Sequence, residues 1–199
     1  MPMSPGLARI SKRATAGLRS VGDMNEDKTM NEEKTTGVTG AHTTNGRPHT
    51  ATALTPFLAI PDSRGAIDFY TEVFGARVVG ITEFGGVVAH ADLDFGLGGL
   101  QLGDPNPEYG LVAAPAGDAD CYSMGIYVPD VDAVVARAVA AGAAVREAPS
   151  TFVSGDRYAS IRDPFGVRWS VMTRVEDLSE EESNARVEAW AASFSAPES

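Results

Sequence analysis

The sequence predicts an α+β fold built of two tandem βαβββ modules. Three observations carry this expectation. LTPFLAIPDSRGAIDFYTEVFGARVVG and YSMGIYVPDVDAVVARAVAAGAAVRE repeat one plan: a short strand, a Pro-Asp junction, one helix, and a Gly-Ala turn into the next strand. The two junction aspartates, Asp62 and Asp130, stand 68 residues apart. Each copy then continues into further short runs with strand texture, separated by Gly, Pro and Asp.

In chain order, residues 1–50 come first and hold almost no apolar periodicity. They are rich in Thr, Gly, Asn, Met and charge, a composition that buries too little surface to offset its ordering entropy, so a disordered tail is expected. Arg9, Lys12, Arg13 and Arg19 occur there without an acid, superficially like a transit peptide, but no apolar core of a secretory signal accompanies them. A start codon placed upstream of a true start at Met24 or Met30 is the simpler reading, and His42 and His49 are expected to be incidental.

The folded domain is expected over residues 51–178, with modules at about 54–103 and 121–175. Asp62 and Asp130 are good N-caps, because a carboxylate accepts from the free amides of a first helical turn. Gly75 and Gly142 suit the position after each helix, where a left-handed backbone ends it. The strands read as RVVGITEF, GVVAHADLDF and GLQLGD in the first module and as AAVREAP, RYASIRD and VRWSVMT in the second. Residues 104–120 are Pro- and Gly-rich and form a linker loop. Residues 179–199 supply a last helix and a fraying tail: Ser179 with Glu180, Glu181 and Glu182 caps the start, and Val187, Trp190 and Phe194 form one apolar stripe expected to dock on the domain or on a second subunit.

Charge and composition exclude several functions. Residues 1–50 carry seven Lys/Arg against five Asp/Glu, whereas the remainder carries nine, all arginine, against 22. Such an acidic domain repels a polyanion, so nucleic acid is excluded as a partner; a cationic organic ligand, or plain solubility, fits the acidity. No run approaches the roughly 18 apolar residues of a membrane helix, so no membrane partner is expected. The single cysteine, Cys121, forbids an internal disulfide and lacks the basic neighbour of a catalytic thiol, so it is read as structural and a reducing, cytoplasmic setting is expected.

Strand alternation gathers the candidate site. Val87, Ala89, Ala91 and Leu93 are expected to face the helices, and Val88, His90 and Asp92 the other side. Applied along the other strands, the same rule gathers Phe57, His90, Gln101, Ser123, Tyr127, Tyr158, Arg168, Ser170 and Met172 on the faces turned away from the helices, the mixed make-up of a small-molecule pocket. His90 is the domain's one histidine and a candidate general acid or base with Asp92 beside it; the plainer reading is a histidine hydrogen-bonded within the cleft. Tyr127 and Tyr158 could stack on a planar ligand or simply pack. Arg157, Arg162 and Arg168 near the DPFG turn could bind an anion, but pairing with Asp156 and Asp163 is the favoured role. GLGGLQLG neither leads from a strand into a helix nor carries a lysine, so its glycines mark a turn and a close backbone approach rather than a phosphate loop.

AIDFYTEVFGA, VVAHADL, DVDAV and the closing block SGDRYASIRDPFGVRWSVMTRVEDLS, over about residues 54–182, resemble the vicinal oxygen chelate (VOC) superfamily of glyoxalase I, bleomycin-resistance proteins and extradiol dioxygenases, most of all its PhnB-like branch. The resemblance implies the glyoxalase/bleomycin-resistance fold, in which the two tandem βαβββ modules form a curved mixed sheet around a cleft whose concave face those candidate residues line, and a homodimer, since modules of this superfamily pair within or between chains. It also implies four metal-ligand positions, which here hold Thr55, Gln101, Ser123 and Ser170. Hydroxyls and an amide are poor donors for a divalent transition metal, so the usual metal centre and other cofactors are not expected. The function expected is a cleft that binds a small molecule without that metal. The alternative is a lyase, isomerase or dioxygenase-type enzyme of the superfamily, with a non-standard metal or His90 acid-base chemistry.

Overall fold

The computed structural model describes residues 37–194. The expected tail up to residue 36 and the fraying end at 195–199 fall outside the described residues. Within the stretch expected to carry no element, β1 (Thr43–Thr44) and β2 (Arg47–Pro48) close a small hairpin. Its turn is Asn45-Gly46, with positive φ at both residues, the pattern that matches the twist of paired strands.

The first module contains β3 (Phe57–Ala59), α1 (Ser63–Phe74), β4 (Arg77–Phe84), β5 (Val87–Asp94) and β6 (Gly99–Gly103). The second contains β7 (Ser123–Tyr127), α2 (Val131–Ala140), β8 (Ala144–Thr151), β9 (Asp156–Arg162) and β10 (Arg168–Arg174). Each module builds its own four-stranded mixed sheet, ordered β3-β6-β5-β4 and β7-β10-β9-β8. The first strand of each module runs parallel to the last, and the other pairs are antiparallel. The repeat legible in the sequence is therefore a repeat of topology.

Both helix starts are capped as expected: Asp62 accepts from the Gly65 amide and Asp130 from the Ala133 amide. Gly75 ends α1 with φ 72°, while α2 ends at Ala141 and leaves the left-handed residue to Gly142.

The buried faces of both sheets, together with α1 and α2, share one core. Trp169 of β10 lies against Tyr70 and Phe74 of α1, with ring centroids 5.1 and 4.6 Å apart, and Arg137 of α2 donates to the Val73 carbonyl of α1. A helix of one module thus packs on a strand of the other, and the opposite face of each sheet points away from this core.

Two strand expectations change. Ala91 and Leu93 are buried as the alternation requires, but Val88 is also buried, while Val87 and Ala89 are exposed. The pairing of β4 with β5 slips between Thr82/His90 and Glu83/Val88, so an extra residue at Ala89 reverses the faces of the strand before it. Asp104 holds this bulge, since its carboxylate accepts from the amides of Val88 and Ser63 and its own amide donates to the Val88 carbonyl.

α3 (Glu180–Ser193) begins with the expected capping box of Ser179 and Glu182. Its apolar stripe docks only in part. Val187 is half-buried and Trp190 sits edge-on against Phe152, whereas Phe194 is 72% exposed and touches Trp190. The firmest anchor is instead polar: buried Ser183 donates to the Ser154 carbonyl.

Candidate functional site

The outward faces of the sheets carry the residues expected to line a cleft, and the structure sorts them into two sets. Phe57, His90 and Gln101 lie on the first sheet; Ser123, Tyr127, Tyr158, Arg168, Ser170 and Met172 lie on the second. No hydrogen bond or ion pair joins the two sets among the described residues.

On the first face, Asp92 is the hub. Its Oδ1 accepts from Gln101 Nε2 at 2.8 Å, and its Oδ2 lies 3.3 Å from His90 Nδ1. Gln101 and Asp92 oppose each other directly in the β5/β6 register, which explains why the amide reaches the carboxylate. The His90 ring lies 5.9 Å from that of Phe57 on β3. Both His90 and Asp92 keep about two-fifths of their side chains in solvent, at 38% and 41%.

Beside this hub a cavity of about 620 Å³ opens between the sheet and residues 48–52, the end of β2 and the segment that follows it. Asp92, Gln101, Thr55, Leu97 and the Arg77–Asp94 ion pair form its sheet side, and His49 stands in its outer wall. His49 also pairs with Thr44 Oγ1 at 2.9 Å, so a residue expected to be incidental helps hold the wall together. The Gly96 amide, together with Arg77, holds the Asp94 carboxyl below its usual range and keeps that rim of the cavity ionised.

On the second face, Ser123 and Ser170 share a 2.8 Å hydrogen bond across the parallel β7/β10 pair, and Tyr127 donates to Asp156. Arg168 reaches Glu147 and Ser160. The arginine partners differ from those expected. Arg157 forms a two-pronged pair with Asp132, Arg162 lies against Asp120, and Asp156 pairs with Arg174. Asp163 cannot serve an arginine because Tyr70, Trp169 and the amides of Phe165 and Val167 already donate to it.

The four positions that the resemblance assigned to a metal do not converge. Thr55 bonds to Thr52 and Gln101 to Asp92, while Ser123 and Ser170 bond to each other on the other sheet. Among the described residues, no three of His, Cys, Asp and Glu gather closely enough to hold an ion. Sequence reasoning missed Asp104 and Asp120, both in a stretch read as a loop; the signal available for Asp104 was its place directly after the β6 glycine.

The Glyoxalase/Bleomycin resistance protein/Dioxygenase superfamily model matches residues 41–171. The chain belongs to this superfamily. It is 34% identical over 137 residues to the uncharacterised protein Mb0911c of Mycobacterium bovis, covering 67% of this chain and 90% of that one. Among solved structures, TioX from Micromonospora sp. ML1 is similar at a TM-score of 0.51 with 29% identity, covering 62% of this chain and 99% of that one. The Arabidopsis thaliana gene product At5g48480 gives a TM-score of 0.50 with 26% identity over 60% of this chain and 97% of the other. Among the described residues no helix is long and apolar enough to cross a membrane.

Proposed function

We propose that this VOC-superfamily chain binds a small organic molecule against the outward face of its first sheet and does so without the superfamily's divalent metal. The observation that carries the reading is the cavity of about 620 Å³ beside the Asp92–Gln101–His90 hub, a volume in the range of ligand pockets. Asp92 supplies a fixed carboxylate for a donor or cationic group, and Leu97 supplies apolar contact. The donor chemistry argues against the metal: Thr55, Ser123 and Ser170 offer neutral hydroxyls and Gln101 an amide already bonded to Asp92.

A homodimer belongs to the same reading. The outer strands of both sheets have a free edge among the described residues, and Val79, Phe84 and Val87 leave apolar surface on the β4/β5 hairpin that a second copy can cover. The closing block SGDRYASIRDPFGVRWSVMT favours the PhnB-like branch, and the lone Cys121 suits a cytoplasmic setting.

The second reading is an enzyme of lyase or isomerase type with His90 as acid or base, favoured by the 3.3 Å approach of Asp92 to the imidazole. Turnover of a bound compound that is lost in a folded His90→Ala variant would mark the second reading, whereas elemental analysis of the purified protein, followed by chelator dialysis and thermal-shift screening against organic compounds, tests the metal-free binding site itself. Stabilising compounds that act equally before and after dialysis are the expected result. A stoichiometric tightly held Ni, Zn, Fe or Mn, with stabilisation lost on its removal, overturns the proposal.

A further inference from the structure

Residues 37–52 are bonded to themselves rather than to the domain they precede. The Gly40 amide donates to the Thr43 carbonyl, Gly46 to Val38 and His49 to His42, and the Thr44–His49 side-chain bond closes the same hairpin. Among the described residues, no hydrogen bond or ion pair ties 37–51 to either sheet or to a helix. Nor does apolar burial anchor the segment, since every residue of 37–54 except Thr43 is exposed, Val38 and Leu54 included. The segment meets the first sheet at Thr52, whose hydroxyl bonds to that of Thr55 at 2.7 Å and lies over Gly99, where an added Cβ would come within 3.4 Å of it. A hairpin that is stiff within itself and thinly held to its neighbours opens at low cost.

The cavity supplies a reason for it to close. Leu97 lines the sheet side from the turn between β5 and β6 and is fully exposed, and Val79 of β4 lines the same side at 57% exposure. Pro48 and Ala51 stand in the wall across from them. Inward movement of that wall would take apolar surface of all four residues out of water, and nothing else among the described residues covers Leu97.

We infer, resting on the reading of the first-face cavity as a binding site, that residues 37–52 are a hinged lid. It pivots at Thr52–Thr55, closes onto Leu97, and encloses the organic molecule that the cavity holds. Entry then requires the lid to open, and size selection is made by the space beneath the closed wall.

NMR relaxation dispersion on the full chain tests the lid before any compound is added. The amides of Gly40, Gly46, His49 and Ala51 are expected to share one microsecond-to-millisecond exchange process with Leu97, a timescale usual for lids, while Leu93 and Leu102 in the strands show none. Gly46→Val is expected to abolish the shared process and leave the Trp169 signal in place, because it forces a β-branched residue to φ 76° and sets a Cβ 3.0 Å from the Gly37 Cα. Indole, an apolar ring with one N–H for Asp92, is then expected to shift Asp92 and Gln101 and to quench the exchange of the lid. A wall as quiet as the strands, exchange that Leu97 does not share, or exchange that survives Gly46→Val overturns the lid. Indole shifts at Asp92 and Gln101 with the lid exchange unchanged also overturn it, while leaving the binding reading in place. Shared exchange that Gly46→Val abolishes supports the lid even where indole shifts neither residue, an outcome that counts against the binding reading alone.

Discussion

Asp163 shows at the residue scale why the DPFG turn is more than a bend. One oxygen accepts from the amides of Phe165 and Val167, closing the turn, and the other accepts from Tyr70 of α1 and Trp169 of β10, joining the modules. Burial outweighs these four donors and pushes the carboxyl above its usual range, and the Tyr70 hydroxyl is pushed well up by burial and by Asp163, so it remains the donor. Asp163→Asn replaces one acceptor oxygen by an NH2 that faces the Trp169 donor. Urea unfolding is expected to show a loss of about 1–3 kcal/mol. Because the folded pKa is raised, the stability linked to this group is full below the unfolded carboxylate pKa and falls as pH rises through the folded value. The deficit of Asp163→Asn is therefore expected to narrow as the pH rises. The sequence exposed the turn but not these partners, because Tyr70 lies 93 residues away and only the packed core brings it near.

At the scale of elements, the β5 bulge decides which residues reach the binding face. A Cβ on Gly103 would sit 2.7 Å from the Ala89 carbonyl oxygen, so the strands approach there only because β6 ends in glycine. Gly103→Ala is expected to cost about 1–3 kcal/mol in thermal or urea unfolding, by forcing backbone apart. It is also expected to shift the NMR signals of His90 more than those of Tyr127 on the other sheet. Helix α3 is held differently, by its cap and a thin aromatic contact. The Ser179 amide holds the Glu182 carboxyl below its usual range, so this contribution is present above the unfolded pKa and disappears as pH falls through the lower, folded one. Trp190 fluorescence is expected to change in acid before the core signal of Trp169 does, and Trp190→Phe is expected to remove that early phase.

At the scale of the whole molecule, the two modules share one core and turn their candidate faces outward. The βαβββ plan, the caps at Asp62 and Asp130 and most strand positions were legible because repeats, cap chemistry and alternation are local signals. The division of the nine candidate residues between two sheets was not, because alternation assigns a face within a strand and says nothing about how modules pack. The bulge at Ala89 escaped for a related reason: it depends on the cross-strand approach of Gly103 and the side chain of Asp104. Likewise, the arginine partners were set by the path of the linker, which brings Asp120 onto β8–β10. The central claim is a metal-independent small-molecule site on the first face. The most direct measurement is an NMR titration of chelator-dialysed protein with small organic fragments. Saturable shifts at Thr55, His90, Asp92 and Gln101 are the result the account predicts; shifts that appear there only after a divalent metal is restored would contradict it.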